Sequence, residues 1–202
     1  MELLRTKRIV LRAWDEADLS AYFGIYSRDE VTRWLGARPR VPVADLDGAR
    51  RRLKAWCDFH SGLEAPFGLW AIVPLGDAAE VVESDGVVEA DRALGIGSPV
   101  GTALLLPLSD ADGPTSEVEV GWHLHPDFHG RGLATEAAGA LLAHLPPNAP
   151  SRVLALTDLD NIPSQAVATR LGMVDQGPTD RWFGEVMRQY CWSRPAEGGP
   201  QR

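Results

Sequence analysis

The 202-residue sequence predicts a single α/β domain, with strands of period two alternating with helices of period 3.6. Three observations carry this expectation. From Glu117 to Leu145 an alternating run ends at Pro126; past Gly130 and Gly132 the apolar residues recur at intervals of three and four. Residues 152–172 repeat the arrangement, an apolar strand leading into a helix that opens at Asn161 and ends at Gly172. With 45% hydrophobic and 24% charged residues the chain is ordinary globular material, and no Pro/Gly-rich linker divides it. The domain is expected to span 1–194, with 195–202 as a disordered tail.

In chain order, Ile9, Leu11 and Ala13 alternate with Arg8, Val10 and Arg12 in a first strand over 6–13. Asp15 is placed to cap a helix reaching Ser27, with acids in its first turn and Leu19, Tyr22, Phe23 and Tyr26 on one face. A short helix follows over 29–35. Gly36, Pro39 and Pro42 break the chain into a loop. From Ala44 a helix keeps Leu46, Ala49, Leu53 and Trp56 on one side, and Arg50, Arg51 and Arg52 read first as a solvated face and second as a contact for an acidic substrate. Phe67–Pro74 is a strand; 75–92 is acidic and turn-rich, expected to protrude. A strand is expected over 93–106 and an Asp-, Gly- and Pro-rich loop over 107–116.

Val118, Val120, Trp122 and Leu124 then alternate with Glu117, Glu119, Gly121 and His123, the pattern of a strand with one buried face. Ala134, Ala137, Ala138, Leu141, Leu142 and Leu145 form the apolar side of the next helix, which starts near Gly130 to Gly132. Prolines over 146–150 make a rigid connector to the strand 152–157. After the helix at Asn161, with Pro163 in its first turn, the last strands are expected at 173–175 and 183–192.

Charge and composition exclude several classes. A net charge of −8 argues against a nucleic-acid surface or attraction to anionic membranes, and suits a cationic acceptor such as an amine. The first residues lack the apolar core of a signal peptide, and no apolar run approaches membrane-spanning length. Cys57 and Cys191 stand far apart, so a reduced, cytoplasmic protein is expected. The five histidines form no zinc pattern, and no metal is expected.

The start of the helix after Pro126 is chemically distinctive. Its unpaired N–H groups and positive dipole end favour an anion, and glycines let that anion approach bare backbone. Arg131 and Thr135 can add a charge and a hydroxyl, so the simplest ligand is a phosphate. A tight turn alone would also use two glycines. A dinucleotide fingerprint fits poorly, because Thr135 stands three after Gly132, and no Gly-Lys-Ser or Gly-Lys-Thr occurs for a Walker loop.

The run GWHLHPDFHGRGLATEA resembles the acyl-CoA-binding motif of the GNAT acetyltransferase superfamily, Gln/Arg-x-x-Gly-x-Gly/Ala, most closely its RimJ/RimL-type branch (ribosomal-protein N-terminal acetyltransferase-like). His129, Gly130, Arg131, Gly132, Leu133 and Ala134 fill the motif, with His129 where the pattern has Gln or Arg. The resemblance extends from TKRIVLRAW to ALTDLDNIPSQAVATRLGM. It implies a mixed, mostly antiparallel sheet of six to seven strands flanked by helices, with the two central parallel strands splayed into a V. It implies acetyl-CoA as cosubstrate. The main chain of Trp122, His123 and Leu124 would pair with its pantetheine arm, Arg131 to Thr135 would hold the pyrophosphate, and Asn161 and Ser164 match the second cofactor motif, with Arg170 near a nucleotide phosphate.

The implied reaction is acyl transfer from a thioester to an amine by direct attack. A neutral amine must attack, and an α-amine with a pKa of roughly 8 gives up its proton more easily than a lysine at roughly 10.4. Glu119 is the first choice for the base and His123, on the same strand face, the alternative. A strand N–H near His123 or Leu124 would meet the developing oxyanion. The family often places a Tyr for the leaving thiolate where this chain has Ala168; Ser164 is the nearest replacement. The expected acceptor is a protein N-terminal α-amine or a small-molecule amine, with a homodimer compatible. The alternative from another class is a non-catalytic acyl-CoA-binding sensor; a domain binding some other phosphorylated ligand at the same helix end is a third.

Overall fold

The computed structural model describes residues 1–36, 38–76 and 97–195. Among them, one sheet holds β1 (Glu2–Arg5), β2 (Ile9–Ala13), β3 (Gly68–Pro74), β4 (Gly101–Asp110), β5 (Gly113–Leu124), β6 (Arg152–Asp158), β7 (Val174–Thr179) and β8 (Met187–Ser193). The spatial order is β1-β2-β3-β4-β5-β6-β8-β7. Every neighbouring pair is antiparallel except β5 with β6. The helices are α1 (Leu19–Tyr26), α2 (Asp29–Thr32), α3 (Leu46–Ser61), α4 (Leu133–Ala143) and α5 (Ile162–Arg170).

The sheet separates two large cores, beside a small third cluster of Leu108, Leu154, Trp182 and Cys191. On one face the side chains of α4, Leu133, Ala137, Ala138 and Leu141, pack with Ile9, Leu11, Trp70, Ile72, Val118 and Val120. The opposite face carries α1 and α3, where Tyr22, Ile25, Tyr26, Ala49 and Leu53 meet Val10, Leu69, Ala71 and Val73. Alternation along β2 and β3 sends successive residues to the two cores, and every residue of β3 is buried. That double burial holds the sheet centre rigid beneath the site.

Several expectations change in detail. The sheet has eight strands rather than six to seven, because Glu2–Arg5 pairs with β2 as a short edge. Four residues with charges at both ends leave no alternation to read in sequence. The loop expected over 107–116 is instead the tip of a long hairpin, since β4 and β5 pair as far as Asp110 with Gly113. Pro107 is tolerated because the register shifts between Pro107 and Ser109, a bulge that relieves the missing N–H. β4 begins at Gly101, where a Cβ would lie 2.1 Å from the His123 carbonyl oxygen, so only glycine permits that approach. Residues 93–96 of the expected strand and 77–92 of the expected protrusion lie outside the described residues, as does the tail from 196. β8 starts at Met187 rather than Phe183, and Leu46, expected on the apolar side of α3, is 48% exposed.

Candidate active site

The site begins as a failure of strand pairing. β5 is matched to β4 residue by residue from Val118 to Leu124, but against β6 the register places only Glu119 opposite Leu154. The two parallel strands therefore diverge toward the end of β5. The His125 N–H donates to the Val100 carbonyl at 2.8 Å, and strand alternation then turns the main chain of His123 toward β4 and that of Trp122 and Leu124 toward the gap. A cavity of about 1700 Å³ occupies the gap and opens to both faces of the sheet.

On the α4 face the cavity meets the turn at the helix start. Gly130 and Gly132 have φ of 73° and 76°, left-handed values that an L side chain rarely adopts. Gly132 is the N-cap of α4, and no side chain caps the helix, so its first-turn N–H groups are left for a ligand. The turn is fixed from behind by Arg8, whose Nη1 donates to the Arg131 carbonyl at 2.8 Å while Nε donates to Glu136 at 2.6 Å. Burial works against the Glu136 charge, yet hydrogen bonds from Thr6 and Arg8 and the Arg8 charge hold its carboxyl below the usual range. Arg131 stacks its guanidinium 5.0 Å from the Phe128 ring, and His129 Nε2 lies 3.1 Å from the Leu124 carbonyl oxygen. Asn161 caps α5 through the Ser164 N–H at 3.3 Å. Thr135 and Thr157 keep buried hydroxyls with no hydrogen-bond partner among the described residues, and both line the cavity. Two orphaned hydroxyls in the same cavity as the uncapped helix start suit a ligand rich in acceptor oxygens.

The opposite face carries different chemistry. Glu119, Gly121 and His123 share the side of β5 turned to α1 and α3. Burial pushes the Glu119 carboxyl up to about 8 and the His123 imidazole down to about 4. His123 Nδ1 lies 3.2 Å from the Tyr26 hydroxyl, which is 2.6 Å from Thr102 Oγ1, and Trp14 Nε1 donates to the same oxygen at 3.1 Å. Trp56 packs edge-on to Tyr26, with centroids 5.1 Å apart. The loop after α2 crosses the gap: Arg40 pairs with Asp158 of β6, and Arg38 with Glu185 at 3.1 Å in the β7–β8 connection. Phe183 of that connection lines the cavity with φ of 57°.

Residues 8–174 match the family model described as the acetyltransferase (GNAT) domain. The chain belongs to the GNAT acetyltransferase family. No curated protein matches it. Among solved structures sharing its fold, a GNAT-family acetyltransferase from Bacillus anthracis is 18% identical with a TM-score of 0.65, covering 95% of this chain and 96% of its own. RimL, a ribosomal L7/L12 α-N-protein acetyltransferase in complex with coenzyme A, is 15% identical with a TM-score of 0.67 over 96% and 98%. The ribosomal-protein-S5-alanine acetyltransferase from Vibrio fischeri is 14% identical with a TM-score of 0.63 over 99% and 100%.

For this GNAT chain the structure brings almost every expected site residue to one cavity. Glu119, Trp122, His123, Leu124, His129, Gly130, Gly132, Leu133, Ala134, Thr135, Asn161, Ser164 and Arg170 all line it; Arg131 does not. Ala168 is fully buried in the α4-side core and offers nothing to the cavity. Sequence reasoning missed Tyr26, Trp56, Arg40 and Thr157. Tyr26 and Trp56 lie in helices distant in sequence from the motif, where only core-like aromatics could be seen, and Arg40 lies in a loop with no pattern of its own. No group of three or more His, Cys, Asp or Glu among the described residues could hold a metal, and no helix there is long and apolar enough to cross a membrane.

Proposed function

We propose that this GNAT chain is a single-domain N-acetyltransferase of the cytoplasm that moves an acetyl group from acetyl-CoA to a primary amine. The observation that carries the reading is the cavity itself, which has an anion-binding turn on one face of the splayed sheet and a carboxyl with a pKa of about 8 on the other. Trp122 and Leu124 offer main-chain groups to the pantetheine arm, in the manner of a missing strand. The first turn of α4, with Thr135, holds the pyrophosphate, and Asn161, Ser164 and Arg170 complete that side.

The amine enters from the α1 and α3 face and attacks the thioester carbonyl. Glu119 takes its proton, directly or through water; a base with a pKa near 8 is well matched to an ammonium losing a proton at neutral to mildly alkaline pH. The Leu124 N–H, turned into the gap, meets the carbonyl oxygen as it gains charge. The C–S bond breaks, and the thiolate leaves as a thiol with Ser164 as the hydroxyl donor. The RimL and ribosomal-protein neighbours support a protein N-terminal α-amine as acceptor, and small-molecule amines are the other class the open cavity admits. A homodimer is compatible with this reading.

Release of free thiol from acetyl-CoA, screened against N-terminal peptides, polyamines, amino acids and aminoglycosides, tests it. Turnover with one acceptor class is expected. The core position of Ala168 favours one other reading, an acyl-CoA sensor without a dedicated thiol acid. Tight acetyl-CoA binding, no turnover, and a Glu119→Ala variant unchanged in every property would establish that instead.

A further inference from the structure

His123 is held by a chain of hydroxyls whose protons can be counted. Trp14 Nε1 is a donor only, so at 3.1 Å it gives its hydrogen to Thr102 Oγ1. Thr102 is fully buried, and among the described residues Tyr26 is its one other partner, at 2.6 Å. If Tyr26 donated to Thr102, the threonine oxygen would accept twice and its own proton would have no acceptor among the described residues. Buried donors are seldom left that way, and Thr102, unlike the orphaned Thr135 and Thr157, does not line the cavity where a ligand could take its proton. The Thr102 proton therefore goes to Tyr26, and the Tyr26 proton goes on to His123 Nδ1 at 3.2 Å. Burial holds the Tyr26 phenol far above its ordinary pKa, so that proton is always present. With Nδ1 accepting, a neutral His123 must carry its hydrogen on Nε2, which is left for the cavity that the residue lines.

We propose that Tyr26, with Thr102 behind it, is a positioning residue that locks His123 in the Nε2–H tautomer, making it a neutral hydrogen-bond donor to a carbonyl-type oxygen bound in the cavity. The protonated Nε2 has no lone pair for an amine proton, so the base role remains with Glu119, four residues back on the same strand face. The oxygen can belong to the thioester or to the acceptor, as the carbonyl next to an α-amine or a carboxylate would. This assignment of the oxygen rests on the acetyltransferase reading; the tautomer does not.

Long-range ¹H–¹⁵N spectra of the uniformly ¹⁵N-labelled protein, without any ligand, read the tautomer directly. The His123 signals are identified by their loss in His123→Gln. The wild type is expected to show the Nε2–H form at pH 7, and Tyr26→Phe, of nearly the same shape, to show both tautomers with the fold retained. An Nδ1–H wild type, or a tautomer indifferent to Tyr26→Phe, overturns the lock. Should Tyr26→Phe fail to keep the fold, Thr102→Val supplies the second variant, and its spectrum must shift toward a mixture as well.

Kinetics test the role. Tyr26→Phe should lose on the order of three- to tenfold in kcat/KM, and combining it with His123→Leu should cost no more than His123→Leu alone. A rise in acceptor KM with acetyl-CoA affinity unchanged assigns the oxygen to the acceptor; a fall in kcat with both affinities unchanged assigns it to the thioester. Full activity in His123→Leu overturns the donor role. An absence of turnover in the wild type with every acceptor refutes the acetyltransferase reading while leaving the tautomer result standing.

Discussion

Replacing Glu119 by glutamine keeps the shape and removes the ionisation. Its carboxyl, raised from 4.5 to about 8, is only about one-tenth ionised at pH 7 and about nine-tenths at pH 9. If that carboxylate is the base, kcat/KM should rise roughly tenfold over this interval with a midpoint near 8, beyond any rise from the amine's own ionisation. Glu119→Gln should lose that limb and fall about 10²- to 10⁴-fold at pH 9, keeping only the slope set by the amine. The same substitution reads out in stability. Between pH 4.5 and 8 the folded state keeps a proton that the unfolded state has released, so wild-type stability falls as pH rises. At 1.36 kcal/mol per unit, 3.5 units cap the effect near 5 kcal/mol, and water reaching the cavity brings it to roughly 2–3 kcal/mol. Urea unfolding at pH 5 and pH 9 should therefore show Glu119→Gln gaining on the wild type with pH, and the gap should stop widening above pH 8. Parallel pH curves for the two proteins, in stability and in rate, would refute the assignment.

Other perturbations separate the elements of the site. Gly132→Ala forces a side chain onto a φ of 76° with its Cβ 3.4 Å from Arg8 Nη2; it should cost about 1 kcal/mol and weaken acetyl-CoA binding in calorimetry. Gly172→Ala, at φ of 73° in open space, should cost similar stability and leave binding alone. Arg40→Met strands the Asp158 carboxylate, whose side chain is 11% exposed, and should lower stability by roughly 3–5 kcal/mol, with Asp158→Asn in the same chain recovering part of it. Leu141→Ala, in the core at the far end of α4 from the turn, should cost about 2–5 kcal/mol in chemical unfolding without shifting the pH profile.

What sequence could reveal follows from how local each signal is. The stripe read from Ala134, Ala137, Ala138, Leu141, Leu142 and Leu145 is buried throughout, because apolar residues at helical spacing admit one packing. The turn at Gly130 and Gly132 and the cap at Asn161 were legible for the same reason: each is a few consecutive residues with one physical requirement. The β4–β5 hairpin was not, since Pro107, Gly113 and Pro114 signal a loop unless the bulge that accommodates them is known. The Trp14, Thr102, Tyr26 and His123 chain draws on β4, β5, α1 and the segment before it, with partners 76 to 97 positions apart, and no local pattern joins them. Nor does sequence tell that Glu119 is a perturbed acid, because the burial responsible comes from the closing of α1 and α3 over the strand.

The thin pairing of β5 with β6 makes the sheet two plates joined along a short seam. The plate from β1 to β5 carries α1 to α3 on one face; the plate from β6 to β8 is riveted to it from outside by Arg38 and Arg40. Breathing should thus concentrate at the seam, and the gap-facing backbone amides of Trp122 and Leu124 should exchange with solvent sooner than those of β3. A molecule laid between the plates would act as mortar. At a hundred times its dissociation constant it would add about 2.7 kcal/mol to stability, so the melting temperature of this chain doubles as a gauge of what fills it.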